Sequence, residues 1–271
     1  MAQFYFLKNN TFSQMFGCVI QTDNHTIVFD GGTVGDGAAL ADFLREKANA
    51  HVDTWFFTHP HHDHFGAFLD ICRNAPDVQI DSICCHFPDT AQLCQYEGRA
   101  PWEIELWHYF DQLRDTRFAD VCREAHVGDT FTFDDVTVRV LRVYNPAITA
   151  NFINNSSCVY RIDTPRTKVL ILGDLGEQGG DELLSLCDVA ELRADYVQMA
   201  HHGQNGVNET FYRAIAPFAC LWPTPDWLWR NDNGGGENSG PWRTLETRAW
   251  MEALGITQHI VSMNGTAQFE I

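Results

Sequence analysis

The stretch Thr58-His59-Pro60-His61-His62-Asp63-His64 places imidazoles and a carboxylate in HxHxDH spacing directly after an apolar run, Val52 to Phe57. The hydrophobic Trp55-Phe56-Phe57 predicts a buried strand. Because Pro60 disfavours helix for the residue before it, we expect the histidines on a loop that leaves the end of this strand. In α/β proteins, functional sites are built at such strand ends.

The ligand types in this stretch point to a transition metal. Neutral imidazole and carboxylate groups suit Zn, Mn or Fe better than Mg or Ca. The alternative is a polar loop with solvated histidines, which leaves four coordinating groups beside a hydrophobic strand without a role. The spacing therefore predicts a metal site.

Length and composition indicate a folded globular chain. Its 271 residues are 45% hydrophobic and 13% aromatic, enough to bury the core of one α/β domain or two small ones. Neither an internal linker nor a low-complexity tract interrupts the sequence. We expect a single domain over residues 1–271.

The charge balance argues against two classes of partner. Eighteen Lys and Arg face 36 Asp and Glu, a formal charge of −18, which disfavours capture of nucleic acid or an anionic membrane surface. The first residues lack a basic segment followed by a sustained apolar one, and no run of 18 apolar residues occurs. We expect a cytoplasmic protein that acts on a small molecule; the oligomeric state stays open.

The nine cysteines form no CxxC pair and are odd in number. We interpret them as reduced core residues, and we do not expect a cysteine-rich structural zinc site.

Periodicity predicts strands in both halves of the chain with helices between them, which favours one αββα sandwich. An Asp134-Asp135 turn predicts a hairpin in the second half. The predicted strands cover 4–7, 16–22, 26–29, 79–86, 158–162, 168–172 and 196–199, and the predicted helices cover 35–50, 66–74, one or two helices within 101–125, and 181–186.

Further polar residues stand at predicted strand ends. Asp30 follows one apolar strand, Asp174 follows another, and His201-His202 follows a third. Each is weak evidence alone, but together with HxHxDH they make a coherent ligand set for two metal ions.

In order and spacing these segments resemble the metallo-β-lactamase-fold hydrolases over nearly the whole chain. The resemblance rests on a strand-end Asp30, THxHxDHxG at 58–66, LeuGlyAsp at 172–174 and HisHisGly at 201–203. It implies a four-layer αββα sandwich. The stretch Asn155-Ser156-Ser157 and the segments after it are similar to the ComEC-type subgroup.

The resemblance also implies roles, position by position. His59 and His61 would hold metal 1, and Asp63, His64 and His201 would hold metal 2, with Asp174 bridging and Asp30 orienting a ligand histidine or the loop. The ions would be one or two Zn, with Mn or Fe as alternatives.

Two of these residues receive catalytic roles. Asp63 would orient the attacking water, and His202 would act as an acid or hydrogen-bond donor, unless His202 is an outer or surface histidine. His62 is not expected to be a ligand.

The sequence departs from the family between His64 and Asp174, where a third histidine ligand is not evident. His86, His108 and His126 are available, but none has a recognisable ligand context. Metal 1 is therefore expected to be weakly held, or completed by water or substrate.

A tryptophan-rich segment, 222–242, holds four of the eight tryptophans. Aromatic faces suit a sugar, a nucleobase or an organic cation, so this segment is either a pocket lining or a packed loop. Arg230 or Arg243 would be able to meet a phosphate.

The resulting hypothesis is a metal-dependent hydrolase that acts through a metal-activated water. The subgroup resemblance implies a phosphodiester or another small phosphoester as substrate. The alternatives are a thioester, lactone or β-lactam hydrolase of the same fold, or a non-catalytic metal-binding domain. A redox di-iron protein is disfavoured because the ligand set is not rich in carboxylates.

Overall fold

The computed structural model describes residues 1–97 and 100–271, and strands and helices alternate along both halves. The strands are β1 (Gln3–Phe6), β2 (Gly17–Gln21), β3 (Thr26–Asp30), β4 (His51–Val52), β5 (Thr54–Phe56), β6 (Gln79–Ile80), β7 (Ile83–Cys85), β8 (Cys122–Glu124), β9 (Thr130–Phe133), β10 (Val136–Arg142), β11 (Val159–Asp163), β12 (Lys168–Ile171), β13 (Tyr196–Gln198), β14 (Ala219–Trp222), β15 (Gln258–Val261) and β16 (Ala267–Glu270). The α-helices are α1 (Gly37–Ala48), α2 (His62–Asn74), α3 (Thr90–Tyr96), α4 (Pro101–Asp115), α5 (Phe152–Asn155), α6 (Glu177–Leu186), α7 (Val189–Leu192), α8 (Glu209–Ile215), α9 (Asp226–Trp229) and α10 (Thr244–Ala253), with short 3-10 turns at Val34–Asp36, Ala200–Gly203 and Ser262–Asn264.

These strands form two seven-stranded sheets and one small ribbon. The first sheet has the order β16-β1-β2-β3-β5-β7-β8, and the second has the order β15-β14-β13-β12-β11-β10-β9. The ribbon pairs β4 with β6. Helices flank both sheets, which confirms the predicted four-layer αββα sandwich.

Side chains alternate between the two faces of each strand, as a pleated backbone requires. In β5 and its extension, Trp55 and Phe57 pack toward the helices, whereas Phe56 points into the core between the sheets. Phe56 there meets Tyr160 of the second sheet with ring centroids 5.4 Å apart. The sheets are thus joined by an apolar core that is rich in aromatic rings.

The central strands bring the predicted site residues to one edge. β3, β5 and β7 run parallel in the first sheet, and β12, β13 and β14 run parallel in the second. Their carboxyl ends therefore open at a common edge of the sandwich. Asp30 ends β3, His59 follows β5, Asp174 follows β12, and His201 follows β13.

The loop predicted for the HxHxDH stretch is wrong in its second half, because α2 begins at His62. Pro60 restricts only the residue before it, and the extended His61 (φ −80°, ψ 145°) is the N-cap. Asp63 in the first turn favours the helix through its dipole.

Other boundaries also differ from expectation. The strand predicted at 79–86 breaks into β6 and β7, and the helical region 101–125 ends at Asp115 before strand β8. The hairpin is confirmed: β9 pairs with β10 around Asp134, whose φ is +53°.

All nine cysteines are free. Five are buried, but Cys94 is exposed and three others are half-buried, so the expectation of nine core cysteines is wrong in part. None of the described helices is long and apolar enough to cross a bilayer.

Candidate metal centre

Six of the polar side chains singled out by sequence converge at the common strand edge, and they form two overlapping clusters. We call the first the four-ligand cluster; it consists of Asp63, His64, Asp174 and His202. We call the second the three-ligand cluster; it consists of His59, His61 and Asp174. All of these residues are buried, and Asp174 belongs to both clusters.

The four-ligand cluster joins the two sheets. The Nε2 atom of His202 lies 3.2 Å from Asp63 Oδ2 and 3.3 Å from Asp174 Oδ2. The Nε2 atom of His64 lies 3.0 Å from Asp174 Oδ1 and 3.3 Å from His202 Nε2. Both imidazoles therefore point the same ring atom toward the carboxylates.

The outer hydrogen bonds show which ring nitrogen of each imidazole would carry the lone pair once the ring is neutral. His202 Nδ1 donates to the carbonyl of Pro223 at 2.8 Å, and His64 Nδ1 donates to Asp30 Oδ2 at 2.7 Å. In a neutral imidazole the other nitrogen then has a lone pair. The Nε2 lone pairs of the neutral rings would then face the carboxylate oxygens. Such a group of acceptors has no donor among its members, and a bound cation would supply the missing positive charge.

The surroundings of the Asp174 carboxylate also indicate a cation site. Within the described residues, both of its buried oxygens lack a hydrogen-bond donor. Buried polar atoms rarely lack partners in folded proteins, and an absent ion is one explanation. The donor set of imidazoles and carboxylates fits Zn, Mn or Fe.

The three-ligand cluster comes mainly from the HxHxDH segment. His59 Nε2 lies 2.9 Å from His61 Nδ1 and 3.7 Å from Asp174 Oδ2. His59 Nδ1 lies 3.0 Å from the Thr58 hydroxyl, which donates to Asp30 Oδ2 at 2.6 Å. The hydroxyl therefore accepts from His59 Nδ1, so the Nε2 lone pair of His59 faces His61 and Asp174, where an ion would bind.

Asp30 connects the two clusters from behind. Its carboxylate accepts from the Thr58 backbone N–H at 2.8 Å, from the Thr58 hydroxyl and from His64. The backbone of Asp30 is left-handed, with φ +51°, and its carbonyl accepts from Trp55 Nε1 at 2.6 Å. The expected role of Asp30, to orient a ligand histidine or the loop, stays a prediction; its carboxylate contacts both His64 and the loop residue Thr58.

The two clusters differ in their electrostatics without metal. Burial alone would lower the pKa of His202, but the charge of Asp174 and the close approach of the Asp174 and Asp63 carboxylates raise it to about 9. The pKa of His64 is also raised, because Asp174 and Asp30 outweigh its burial. In contrast, burial and the charge of His64 lower the pKa of His59.

The pKa values of the two carboxylates in the four-ligand cluster are lowered, whereas those of its imidazoles are raised. Burial would raise the pKa of Asp63 and of Asp174, but nearby imidazoles hold both well below the usual range. Both carboxyls are therefore ionised at neutral pH and available as ligands.

The two neighbouring histidines of the HisHisGly segment occupy different places. His202 belongs to the four-ligand cluster, whereas His201 lies in neither cluster. His201 Nε2 is 3.9 Å from Asp174 Oδ2 and 3.4 Å from Asn154 Nδ2. Its side chain keeps 16% exposure, while that of His202 has none.

The turn that carries them is unusual. His201 and His202 both have positive φ, +50° and +54°, which is uncommon for residues with a Cβ. Gly203 follows at φ +78°, and a Cβ there would lie 2.4 Å from the Trp222 ring. Thr224 Oγ1 donates to the His202 carbonyl at 2.6 Å and helps to hold this turn.

The remaining histidines stay outside both clusters. His62 turns away, with Nδ1 3.3 Å from Glu103 Oε1 and its ring against Trp102. His86 Nδ1 donates to the Ala125 carbonyl at 2.8 Å. The described residues thus supply no third histidine to the three-ligand cluster.

Sequence reasoning missed Gln14 and Gln204. Gln14 Nε2 donates to Asp63 Oδ2 at 3.0 Å, and Gln204 Nε2 donates to Gln14 Oε1 at 2.9 Å. This relay fixes Asp63 from a loop and a turn that are 190 residues apart. Single glutamines carry no spacing signal that would have found them.

The Asn/Ser stretch supports Asp174. Ser157 Oγ accepts from the Asp174 backbone N–H at 3.0 Å. Asn155 Oδ1 accepts from the N–H groups of Gly176 and Gly179, which open α6. The neighbouring Asn154 faces His201, so this stretch positions the bridging carboxylate and its surroundings.

The tryptophan-rich segment divides into a buried and an exposed part. Trp222 is fully buried and meets Trp229 edge-on at 5.2 Å. The rings of Trp227 and Trp242 are tilted at 58° to each other with centroids 4.8 Å apart, and Trp227 Nε1 donates to the Phe12 carbonyl at 2.9 Å. Packing thus explains Trp222, whereas Trp227 contacts the loop that carries Phe12 and Gln14.

Arg230 and Arg243, the candidate phosphate ligands, are both engaged with carboxylates. Arg230 pairs with Asp226 at 3.0 Å. Arg243 pairs with Glu177 at 2.7 Å and with Glu246 at 2.6 Å. The geometry gives neither arginine a place at the clusters.

Comparison with known proteins gives one partial family match and several structures of the same fold. Residues 18–83 match the model of the metallo-β-lactamase superfamily. The whole chain is similar to the metallo-β-lactamase fold protein YhfI from Bacillus subtilis, with TM-score 0.59 and 13% identity over 100% of both chains. No curated protein matches it in sequence.

Two further structures share the fold. CmlA, a diiron β-hydroxylase from Streptomyces venezuelae, aligns with TM-score 0.58 and 12% identity over 100% of this chain and 54% of CmlA. A diphosphatase from the PhnP family aligns with TM-score 0.53 and 10% identity over 100% of this chain and 98% of that one. The chain thus has the metallo-β-lactamase fold, and its residues 18–83 match the model of that superfamily.

Proposed function

We propose that the chain is a metal-dependent hydrolase with a binuclear centre. The observation that carries the proposal is the pair of buried ligand clusters that share Asp174. The ions we propose are one or two Zn, with Mn or Fe as alternatives, because imidazole and carboxylate ligands suit all three.

The geometry favours an exchange of roles between two neighbouring histidines. His202 Nε2 lies within 3.3 Å of both carboxylates of the four-ligand cluster, whereas His201 lies outside it. We therefore assign His202 to the ion with Asp63, His64 and Asp174. His201 becomes the group that faces the substrate.

In such centres, bound ions lower the pKa of a water toward neutrality and polarise the scissile bond. The chain's own residues supply orientation and proton control. Asp63, held by Gln14, directs one carboxylate oxygen into the centre. Burial lowers the pKa of His201, so it is a neutral hydrogen-bond donor at pH 7.

A small phosphoester is the substrate we favour. The structurally similar diphosphatase from the PhnP family and the resemblance to the ComEC-type subgroup both support it. The formal charge of −18 makes long nucleic acid a poor ligand through repulsion, so we expect a small phosphodiester or diphosphate. A single domain over 1–271 and a cytoplasmic location stay predictions.

The test combines metal analysis with turnover on one preparation. The panel contains a phosphodiester, a phosphomonoester, a thioester, a lactone and a β-lactam. We expect phosphoester turnover that chelation abolishes and Zn, Mn or Fe restores. Turnover of only the thioester, the lactone or the β-lactam would contradict the proposed phosphoester substrate. Full activity of the metal-free protein would contradict the metal-dependent mechanism.

The HxHxDH segment offers a matched pair of variants. His61→Ala removes a ligand of the three-ligand cluster and is expected to lose one ion and most activity. His62→Ala removes the adjacent imidazole, which contacts Glu103 and Trp102, and is expected to keep both ions. Equal losses in the two variants would mean that the segment acts through folding alone.

A further inference from the structure

A separate group of His and Asp side chains lies at the opposite end of β5. His51, Asp53 and Asp81 each offer one ligand atom, and these atoms lie within 4.8 Å of one another. Asp53 directly precedes β5 and His59 follows it closely. At about 3.3 Å per strand residue, the six residues from Asp53 to His59 place this group roughly 20 Å from the metal centre.

Strand register brings the two carboxylates together. β4 and β6 pair in parallel, His51 with Gln79 and Val52 with Ile80, so Asp53 and Asp81 stand at the next level of the ribbon. Like charges at neighbouring positions repel unless a cation lies between them. Among the described residues, the ion-pair partners of these carboxylates are imidazoles.

The imidazole of His51 lies between the carboxylates. Its Nε2 is 2.9 Å from Asp81 Oδ2, and its Nδ1 is 3.8 Å from Asp53 Oδ2. Ligand atoms around tetrahedral zinc, each about 2.1 Å from the ion, lie about 3.4 Å apart. One ion takes only one ring nitrogen of His51, and one ligand atom from each of the three side chains lies within 4.8 Å of the others, so side-chain rotation has to close the set around the ion.

Outer hydrogen bonds hold both carboxylates in place. Asp53 accepts from the Thr26 backbone N–H at 2.7 Å and contacts His25 Nδ1 at 2.8 Å. Asp81 Oδ1 accepts from Gln79 Nε2 at 2.8 Å. Such outer partners orient ligands in built metal sites.

The group is also accessible from solvent. The side chains of His51 and Asp81 are 36% and 47% exposed, and a groove of about 540 Å³ opens beside His51 and Asp53. Water can therefore reach the ion and complete its coordination.

We propose that His51, Asp53 and Asp81 form a second, structural zinc site, distinct from the hydrolytic centre. One imidazole and two carboxylates favour Zn²⁺ over Mg²⁺ or Ca²⁺, which prefer oxygen ligands alone. The ion would fasten the β4–β6 ribbon and, through His25 and Asp53, the turn between β2 and β3. It would take no part in the reaction.

The test counts zinc bound to the full chain in equilibrium dialysis against Zn²⁺ alone. Wild type is expected to bind one more ion per chain than His51→Ala or Asp81→Asn, while both variants keep hydrolytic activity. His126→Ala is the matched control, because His126 is an exposed histidine beside a single carboxylate, Asp129. This control is expected to bind as much zinc as wild type.

An Asp174→Asn background separates the two sites, since it impairs the hydrolytic centre and leaves His51, Asp53 and Asp81 intact. The difference of one ion between wild type and His51→Ala is expected to persist there. Equal zinc in the two proteins, or an equal loss in the His126→Ala control, would overturn the proposal. Asp81→Asn keeps the shape of the side chain, and it replaces His51→Ala in this comparison if circular dichroism shows that His51→Ala misfolds.

Discussion

The two ligand clusters share one carboxylate and differ in almost everything else. The four-ligand cluster draws Asp63 and His64 from α2 and His202 from the far sheet, and it fixes both imidazoles through carbonyl or carboxylate acceptors. The three-ligand cluster takes both histidines from one short segment, and a hydroxyl orients His59.

This difference predicts unequal affinity. A cluster with more ligands, each oriented by an outer partner, loses less freedom when an ion binds. The three-ligand cluster needs water or substrate to complete its coordination. We infer that the four-ligand cluster holds the tighter ion, and that the other ion is the exchangeable one.

The largest effect is expected for Asp174→Asn, which touches both clusters at once. The amide keeps the shape but replaces one ligand oxygen by an N–H₂ group that repels a cation. Losing a shared ligand should exceed the roughly 100-fold effect of losing an outer partner. Metal content and kcat on the same samples check this, with Asp181→Asn as an exposed carboxylate control.

If Asp174→Asn retains one ion and partial activity, the clusters do not share this ligand functionally. If the Asp181→Asn control loses metal as well, the effect belongs to charge rather than to ligation.

The next effect separates His202 from His201. His202→Ala is expected to lose the tight ion, because its Nε2 faces both carboxylates. His201→Ala is expected to keep metal and to lower kcat on the order of 100-fold, as for other hydrogen-bond donors near developing charge. Metal stoichiometry and kcat for both variants decide between them.

The reverse result, metal lost in His201→Ala and kept in His202→Ala, would restore the assignment that the sequence suggests. Unchanged metal and rate in both variants would remove this turn from the centre.

A smaller effect is expected for Asp30→Asn, which leaves every ligand in place. Asp30 fixes His64 directly and His59 through Thr58. Outer partners of this kind typically contribute 10- to 100-fold in metal affinity, so both ions should bind more weakly by about that factor. Competition with a chelator measures it, and an unchanged affinity would show that packing alone orients the imidazoles.

The fold and the positions of most site residues follow from local sequence. An apolar strand that ends in a polar residue marks the edge of a parallel sheet, and Asp30, His59 and Asp174 all obey that rule. The start of α2 cannot be predicted from local sequence in the same way. Pro60 disfavours helix for the residue before it, whereas Asp63 favours a helix that begins three residues later, and the helix begins at His62.

The choice between His201 and His202 depends on information that spacing lacks. Both residues are left-handed, so the usual alternation of side chains after a strand does not apply. Which imidazole enters the cluster is settled by the carbonyl of Pro223 and by Thr224, about twenty residues later. Gln14 is similarly remote from Asp63 in sequence, which is why no motif reveals it.

The last prediction uses the protonation of the metal-free clusters. A ligand imidazole must be neutral, so a protonated one releases its proton when an ion binds. The pKa of His202 is raised to about 9, and that of His64 is raised as well, so the four-ligand cluster holds protons at pH 7.5. The pKa of His59 is lowered, so His59 is already neutral.

Zinc binding to His61→Ala, which keeps the four-ligand cluster, should therefore release at least one proton at pH 7.5, and its affinity should fall about tenfold per pH unit below 9. Binding to His202→Ala, which keeps the three-ligand cluster, should release fewer. Calorimetry in two buffers with different ionisation enthalpies counts the protons. Equal release in both variants would show that the clusters share one protonation state, and the unequal affinity argued above would then have to rest on ligand number alone.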